Sequence, residues 1–184
     1  MMQELSLNIL DIAENSVKAK ASLVEITVEE DEAADLMRII IADNGCGMTP
    51  EVVARVSDPF YTTRTTRKVG LGVPFVKMAC EMTGGTFSID STVGEGTTLR
   101  ASLGLHNIDR SPLGDIASTI ASLVQCNPDI DFVYTHRTGE GEMCADTREF
   151  RAVLEGVPLS NPEVVSFIWE YIAEHLTEIK GGLI

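Results

Sequence analysis

From residue 4 to about residue 20, apolar side chains return every three or four positions. Leu5, Ile9, Ile12 and Ser16 form one stripe, with Leu10, Ala13 and Val17 beside it. That is the period of an amphipathic helix. From Ser22 to Glu30 the period drops to two through Val24, Ile26 and Val28. An acidic EEDEAAD stretch follows, and Leu36 to Ala42 is a short apolar run, so the two segments predict a hairpin. Thr49 and Pro50 suit an N-cap and first helical residue, which predicts a short helix through Val56 ended by Asp58-Pro59. A Thr-rich basic loop runs from Tyr61 to Val69. A second long helix is expected from about Gly72 to Thr83, turning Phe75, Val76, Ala79 and Met82 inward and closed by Gly84-Gly85. Two strands, Thr86 to Ser91 and Thr97 to Leu105, flank a glycine-bearing turn.

Helices and antiparallel hairpins in this order predict an α+β, two-layer sandwich with helices on one sheet face, not a doubly wound parallel sheet. The polar stretch His106 to Pro112 predicts a boundary. It divides a domain at 1–106 from a small α+β C-terminal extension at 107–184 for interaction or dimerisation. In the extension, Ser111-Pro112 is expected to start a helix reaching Leu123. Asp131 to Thr138 and Glu142 to Ala145 read as a hairpin, Asp146 to Glu149 as a capping box, and Asn161-Pro162 as the start of the last helix. In that helix Val165, Ile168, Trp169, Ile172, Leu176 and Ile179 form a stripe that needs cover from the first domain or from a second chain.

Charge narrows the partners. Acidic residues number 28 against 14 basic ones, a formal net charge of −14, so nucleic acid and anionic membrane surfaces are not expected to bind. The N-terminal MMQELSLNIL carries no basic leader and no long apolar run, so the chain is expected to be cytoplasmic. Cys46, Cys80, Cys126 and Cys144 stand far apart with no paired spacing, and they read as reduced thiols.

Three places carry candidate chemistry. Asn8, Asp11, Asn15 and Lys18 recur three or four apart, a polar line on the first helix. An Asn amide there suits a divalent cation, a lysine suits phosphate, and a carboxylate one turn away suits a general base. Alone, the line reads as the solvated face of a surface helix. Asp43-Asn44-Gly45-Cys46-Gly47-Met48 follows a buried strand, placing a carboxylate able to accept from an exocyclic amine beside glycines that let backbone approach a ligand. Alone, it is an ordinary turn. Gly70-Leu71-Gly72, after Arg64, Arg67 and Lys68, opens a helix and suits an anion.

Order and spacing taken together resemble the GHKL superfamily, the ATP-binding domain shared by type II topoisomerases, histidine kinases and mismatch-repair ATPases. Asp11-Ile-Ala-Glu-Asn15 resembles its N box, Asp43 to Gly47 its first glycine box, Asp58 to Tyr61 its phenylalanine box and Val69 to Gly72 its second glycine box. Gly84-Gly85 through Gly94-Glu-Gly96-Thr97 resembles the last glycine-and-threonine box of the histidine kinase branch. The resemblance implies a Bergerat fold binding ATP and Mg²⁺. Asn15 would hold the metal and Asp43 the adenine, supported by Thr97. Gly45, Gly47, Met48, Gly70, Leu71 and Gly72 would shape the pocket, Lys18, Arg64, Arg67 and Lys68 would meet phosphate, and Tyr61 to Val69 would form the lid.

Asp11 stands where the ATPases and anti-sigma serine kinases of this superfamily carry a glutamate, a shorter candidate catalytic base. Lys68 replaces the first glycine of the second glycine box, and Glu14 beside Asn15 resembles the mismatch-repair ATPases. His106, His136 and His175 are scattered, and no helical hairpin with a phosphoacceptor histidine precedes the N box, so a complete sensor kinase is not expected. The resemblance implies a stand-alone histidine kinase-like or anti-sigma-like kinase acting on a protein partner, itself a possible homodimer. The alternatives are an ATP-gated switch or slow ATPase, and a nucleotide-sensing subunit that never hydrolyses.

Overall fold

The computed structural model describes residues 4–56 and 72–181. Helix α1 (Leu5–Lys18) leads into the hairpin β1 (Leu23–Asp31) and β2 (Leu36–Asp43), then the short α2 (Pro50–Val56). Helix α3 (Gly72–Met82) precedes the hairpin β3 (Phe87–Thr92) and β4 (Gly96–Gly104). The rest is α4 (Ile116–Cys126), β5 (Asp131–Thr138), β6 (Gly141–Asp146), α5 (Thr147–Val153) and α6 (Pro162–Ile179).

All six strands form one sheet in the order β3-β4-β2-β1-β5-β6. Its pairs are antiparallel except β1 with β5, which run parallel. The register turns period-two patterning into rows. Leu99, Ile41, Ile26, Tyr134 and Ala145 lie side by side, as do Ala101, Ile39, Val28, His136 and Met143. Every member of both rows is buried, on the face that α1, α3, α4 and α6 cover. The opposite face carries Glu25, Arg100, Arg137 and Glu142, all exposed, so the fold is a two-layer α+β sandwich.

Residues after 107 therefore continue the sheet begun before them, and the buried core runs through both parts. The polar stretch is a crossover stitched to the first helix. Leu5 N–H donates to Pro112 O at 2.9 Å and Ser6 N–H to Leu113 O at 2.8 Å, satisfying amides that an α-helix start leaves without partners. Because those carbonyls are engaged and Gly114 turns with φ of 78°, α4 begins later than Ser111-Pro112 suggests. Its N-cap is Asp115, whose carboxylate accepts from Ser118 N–H at 2.9 Å.

Two helices sit rotated from the faces read in the sequence. In α3 the buried side chains are Val73, Pro74, Val76 and Cys80, while Met82 is exposed. In α6 they are Val164, Ile168, Ile172 and Ile179, packed toward α4 and β6. Trp169 stays exposed and its indole N–H donates to Ser118 Oγ at 3.1 Å. The capping pattern at Asp146 works one residue early, its carboxylate accepting from Arg148 N–H rather than from Glu149.

The end of α6 is tied down by a buried polar cluster. His136, fully buried, bonds Tyr134 Oη at 2.7 Å through Nδ1 and Glu30 Oε1 at 2.9 Å through Nε2, and Lys180 Nζ donates to the same Glu30 oxygen at 2.8 Å. The His136 hydrogen bond, with Lys180 adding to it, holds the Glu30 carboxyl down to about 2, whereas burial pushes the Tyr134 hydroxyl well above its ordinary range. Among the described residues no helix is long and apolar enough to cross a membrane, and none of them forms a cluster suited to a metal ion.

Candidate functional site

A third row crosses the buried face at one end of the strands. Ser91 on β3 pairs with Thr97 on β4, Thr97 with Asp43 on β2, and Asp43 with Val24 on β1. The adjacent row is Ile89, Leu99 and Ile41. Thr97 and Asp43 of the first row and Ile89, Leu99 and Ile41 of the second floor a cavity of about 610 Å³, whose walls are α1 (Ile12, Asn15, Ser16, Lys18), Ala19, the loop Cys46 to Thr49, α2 (Val52, Val56) and the start of α3 (Gly72, Val73). A cavity of that size, mostly apolar with a few convergent polar groups, is the usual form of a small-ligand site.

Asp43 is the last residue of β2, opposite Thr97 on β4, and lines the cavity. It is held on both oxygens. Ser16 Oγ donates to Oδ2 at 2.7 Å and Gly45 N–H to Oδ1 at 2.9 Å. An acceptor fixed in this way is pre-organised for a ligand N–H.

The loop after Asp43 closes tightly on the β3–β4 turn. Cys46 N–H donates to Ala19 O at 2.9 Å, Gly94 N–H to Cys46 O at 2.8 Å, and Met48 N–H to Ser91 Oγ at 2.8 Å. Two glycines are required by that closure. Gly47 has φ of 66° and a Cβ there would lie 1.9 Å from Thr92 O. Gly96 has φ of 128° and a Cβ there would lie 1.9 Å from Asp43 O. Neither position accepts a side chain without moving backbone.

On α1, Asn15 is exposed and faces the cavity mouth. Lys18 also lines it, and its ammonium pairs with Glu14 at 3.3 Å, both side chains half exposed. Exposed pairs of this kind add little stability, so Lys18 can exchange Glu14 for a ligand anion. Lys18 is the one basic side chain among the described lining residues, and Asp43 the one acidic one.

Asp11 stands outside the lining. Its carboxylate packs against the first residue of α3, where a Cβ on Gly72 would come within 2.5 Å of Oδ2. Negative charge at a helix N-terminus is favourable. Asn8, one turn earlier, is buried and its Oδ1 has no hydrogen-bond partner among the described residues, so that end of the polar line is an interior position.

The cavity thus brings together Asn15, Lys18, Asp43, Gly47, Met48, Gly72 and Thr97. Gly45 lies beneath the loop against Ala19. Arg64, Arg67, Lys68, Gly70 and Leu71, with the phenylalanine box at 58–61 and the lid at 61–69, lie outside the described residues. Sequence reasoning missed Ser16 and Ser91. Ser16 had a signal, a small polar residue on an apolar helical stripe. Ser91 gains meaning only from register, which places it opposite Thr97.

Residues 1–107 match the family described as histidine kinase-, DNA gyrase B-, and HSP90-like ATPase. A probable C4-dicarboxylate sensor kinase of Bacillus subtilis is 32% identical over 83 residues, 45% of this chain and 15% of that protein. A non-motile and phage-resistance protein of Caulobacter vibrioides is 29% identical over 119 residues, 60% and 14%. A sensor protein of Staphylococcus aureus is 34% identical over 102 residues, 53% and 17%. The chain thus spans 14 to 17% of the length of these relatives. Among solved structures, the N-terminal domain of a DNA repair protein shares the fold, with a TM-score of 0.56 at 18% identity over 79% of this chain and 52% of that one.

Proposed function

The chain belongs to the histidine kinase-, DNA gyrase B-, and HSP90-like ATPase family, and on that premise we propose that its cavity binds Mg-ATP for transfer of phosphate to a protein partner, as a histidine kinase-like or anti-sigma-like kinase. One observation carries the reading. Asp43, fixed by Ser16 and Gly45, stands beside Thr97 in a mostly apolar cavity of about 610 Å³.

In this proposal the base lies between Ile41, Ile89 and Leu99 on one side and Met48 on the other, with its exocyclic amine donating to Asp43. Asn15 at the mouth is the metal ligand, and Lys18 meets the phosphates together with Arg64, Lys68 and the amides of Gly70, Leu71 and Gly72. The bound Mg²⁺ would neutralise phosphate charge. Asp11 remains the candidate acid-base group, placed against the residue where the second glycine motif enters α3. The reading favours transfer over hydrolysis, because the one carboxylate among the described lining residues, Asp43, already accepts two hydrogen bonds. A protein phosphoacceptor is the implied partner. A cytosolic location fits four cysteines that stand free.

Titration of the purified protein with Mg-ATP tests the site. Asp43→Asn is expected to weaken binding about 10- to 100-fold, the worth of a hydrogen bond to a charged group. Steady-state phosphate release measured beside it sorts the outputs. Asp11→Asn that keeps binding and loses turnover supports a catalytic Asp11 and the slow ATPase. Tight binding with no turnover supports transfer to a partner, and absence of binding by the unaltered chain overturns the reading.

A further inference from the structure

A hydroxyl has one proton, and at Ser91 three partners compete for its oxygen. Met48 N–H donates to Oγ at 2.8 Å, Oγ donates to Gly96 O at 2.9 Å, and Thr97 Oγ1 lies 2.9 Å away. Gly96 O is a carbonyl and accepts only, so that bond uses the Ser91 proton. The remaining bond is then made by the Thr97 hydroxyl donating to Ser91. Thr97 lines the cavity, whereas Ser91 does not. With its one proton turned toward Ser91, Thr97 presents lone pairs alone to whatever fills the slot.

Asp43, the cross-strand neighbour of Thr97, is in the same condition. Both of its oxygens accept, from Ser16 and from Gly45. We infer that Ser91 is a positioning residue that fixes the Thr97 proton, so that the Asp43–Thr97 wall offers only acceptors and selects a purine with an amino group at position 6 over one with a carbonyl there. A 6-oxo purine would set its own acceptor against two acceptors, since Asp43 has no proton to give and Thr97 could turn its proton only by breaking the part-buried bond to Ser91.

The inference rests on the proposed nucleotide site and deepens it. It differs from a merely structural role for Ser91, which also fastens the Met48 loop, in the quantity that moves. Loosening that loop weakens both purines alike. Freeing the Thr97 proton changes their ratio.

The test is calorimetric titration of the full chain with Mg-ATP and with Mg-inosine triphosphate, which differ at position 6 of the base. The unaltered chain is expected to prefer ATP, and Ser91→Ala to lower the ATP-to-inosine triphosphate affinity ratio about tenfold, the worth of one neutral hydrogen bond. Ser91→Thr, which keeps the hydroxyl, is expected to retain the ratio. In a Thr97→Val background, Ser91→Ala is expected to move the ratio no further. Should Ser91→Ala fail to fold by circular dichroism, Ser91→Cys gives the same reading, since sulfur is a poor acceptor for the Thr97 proton. An unchanged ratio in the Ser91 variants, with both affinities falling together, overturns the inference and leaves Ser91 a fastener of the loop. Equal affinity of the unaltered chain for both nucleotides overturns it while leaving a nucleotide site. Binding of neither overturns the inference and the proposed function together.

Discussion

At Gly96 the backbone of β4 passes so close to Asp43 that a methyl group would lie 1.9 Å from its carbonyl oxygen, whereas Gly94, two residues earlier, has nothing within 4 Å. Both have positive φ, 128° and 83°, so the pair separates conformational strain from collision. Gly94→Ala is expected to cost about 1 kcal/mol in urea unfolding and to retain nucleotide binding. Gly96→Ala is expected to cost about 3 kcal/mol or more and to abolish binding, because Asp43 moves with its own carbonyl. The cysteines divide by burial in the same way. Burial raises the Cys80 thiol to about 11, and Cys46, Cys126 and Cys144 are exposed. Iodoacetamide at mildly alkaline pH, read by mass spectrometry, is expected to label the three exposed thiols and spare Cys80. Saturating Mg-ATP is expected to protect Cys46 and neither Cys126 nor Cys144, since only Cys46 lines the cavity.

Among the elements, α6 owes its seat at the C-terminal end to the Glu30 cluster on β1 and β5. Glu30 falls from its ordinary 4.5 to about 2 on folding, chiefly through the His136 hydrogen bond. A carboxylate depressed in the fold stabilises it fully above the unfolded pKa, and that stability is lost as pH falls from about 4.5 toward 2. Glu30→Gln is therefore expected to lower unfolding free energy at pH 7 by roughly 2 kcal/mol and to flatten its decline between pH 5 and 3. Denaturant titrations across that range check both. The helix carrying Asn15 and Ser16 depends on a distant segment in a comparable way, since its first amides are accepted by Pro112 and Leu113.

At the scale of the molecule, the described residues share one core. Val24, Ile26 and Val28 on β1 lie beside Phe132, Tyr134 and His136 on β5, and α4 covers α1. A chain ended after residue 107 would expose the β1 edge and the buried flank of α1 together. It is expected to lose cooperative unfolding and nucleotide binding, because the lost burial is comparable to the roughly 5–15 kcal/mol that holds a typical domain together. Urea unfolding followed by tryptophan-independent circular dichroism, beside the full chain, measures this.

What the sequence alone determined was local: the helix and strand periods, the turns, and the glycine-and-acid motifs whose order marks the family. Those features depend on residues a few positions apart, where side-chain period and backbone freedom act directly. The cavity residues Asn15, Asp43, Gly47 and Thr97 were legible for that reason, since each sits in a motif whose residue type answers a local need. Only the tertiary structure decided what lies beyond the reach of one element. It put β5 parallel to β1, so that the segment after the polar crossover shares the first core. It turned α3 and α6 so that Val73 and Val164 face inward and Trp169 outward, a choice made by the packing partners of each helix. It set Asp11 against Gly72 and outside the cavity lining. It aligned Ser91, Thr97 and Asp43 in one row, because strand register is a pairing between residues far apart in the chain, settled by the burial of a whole face at once.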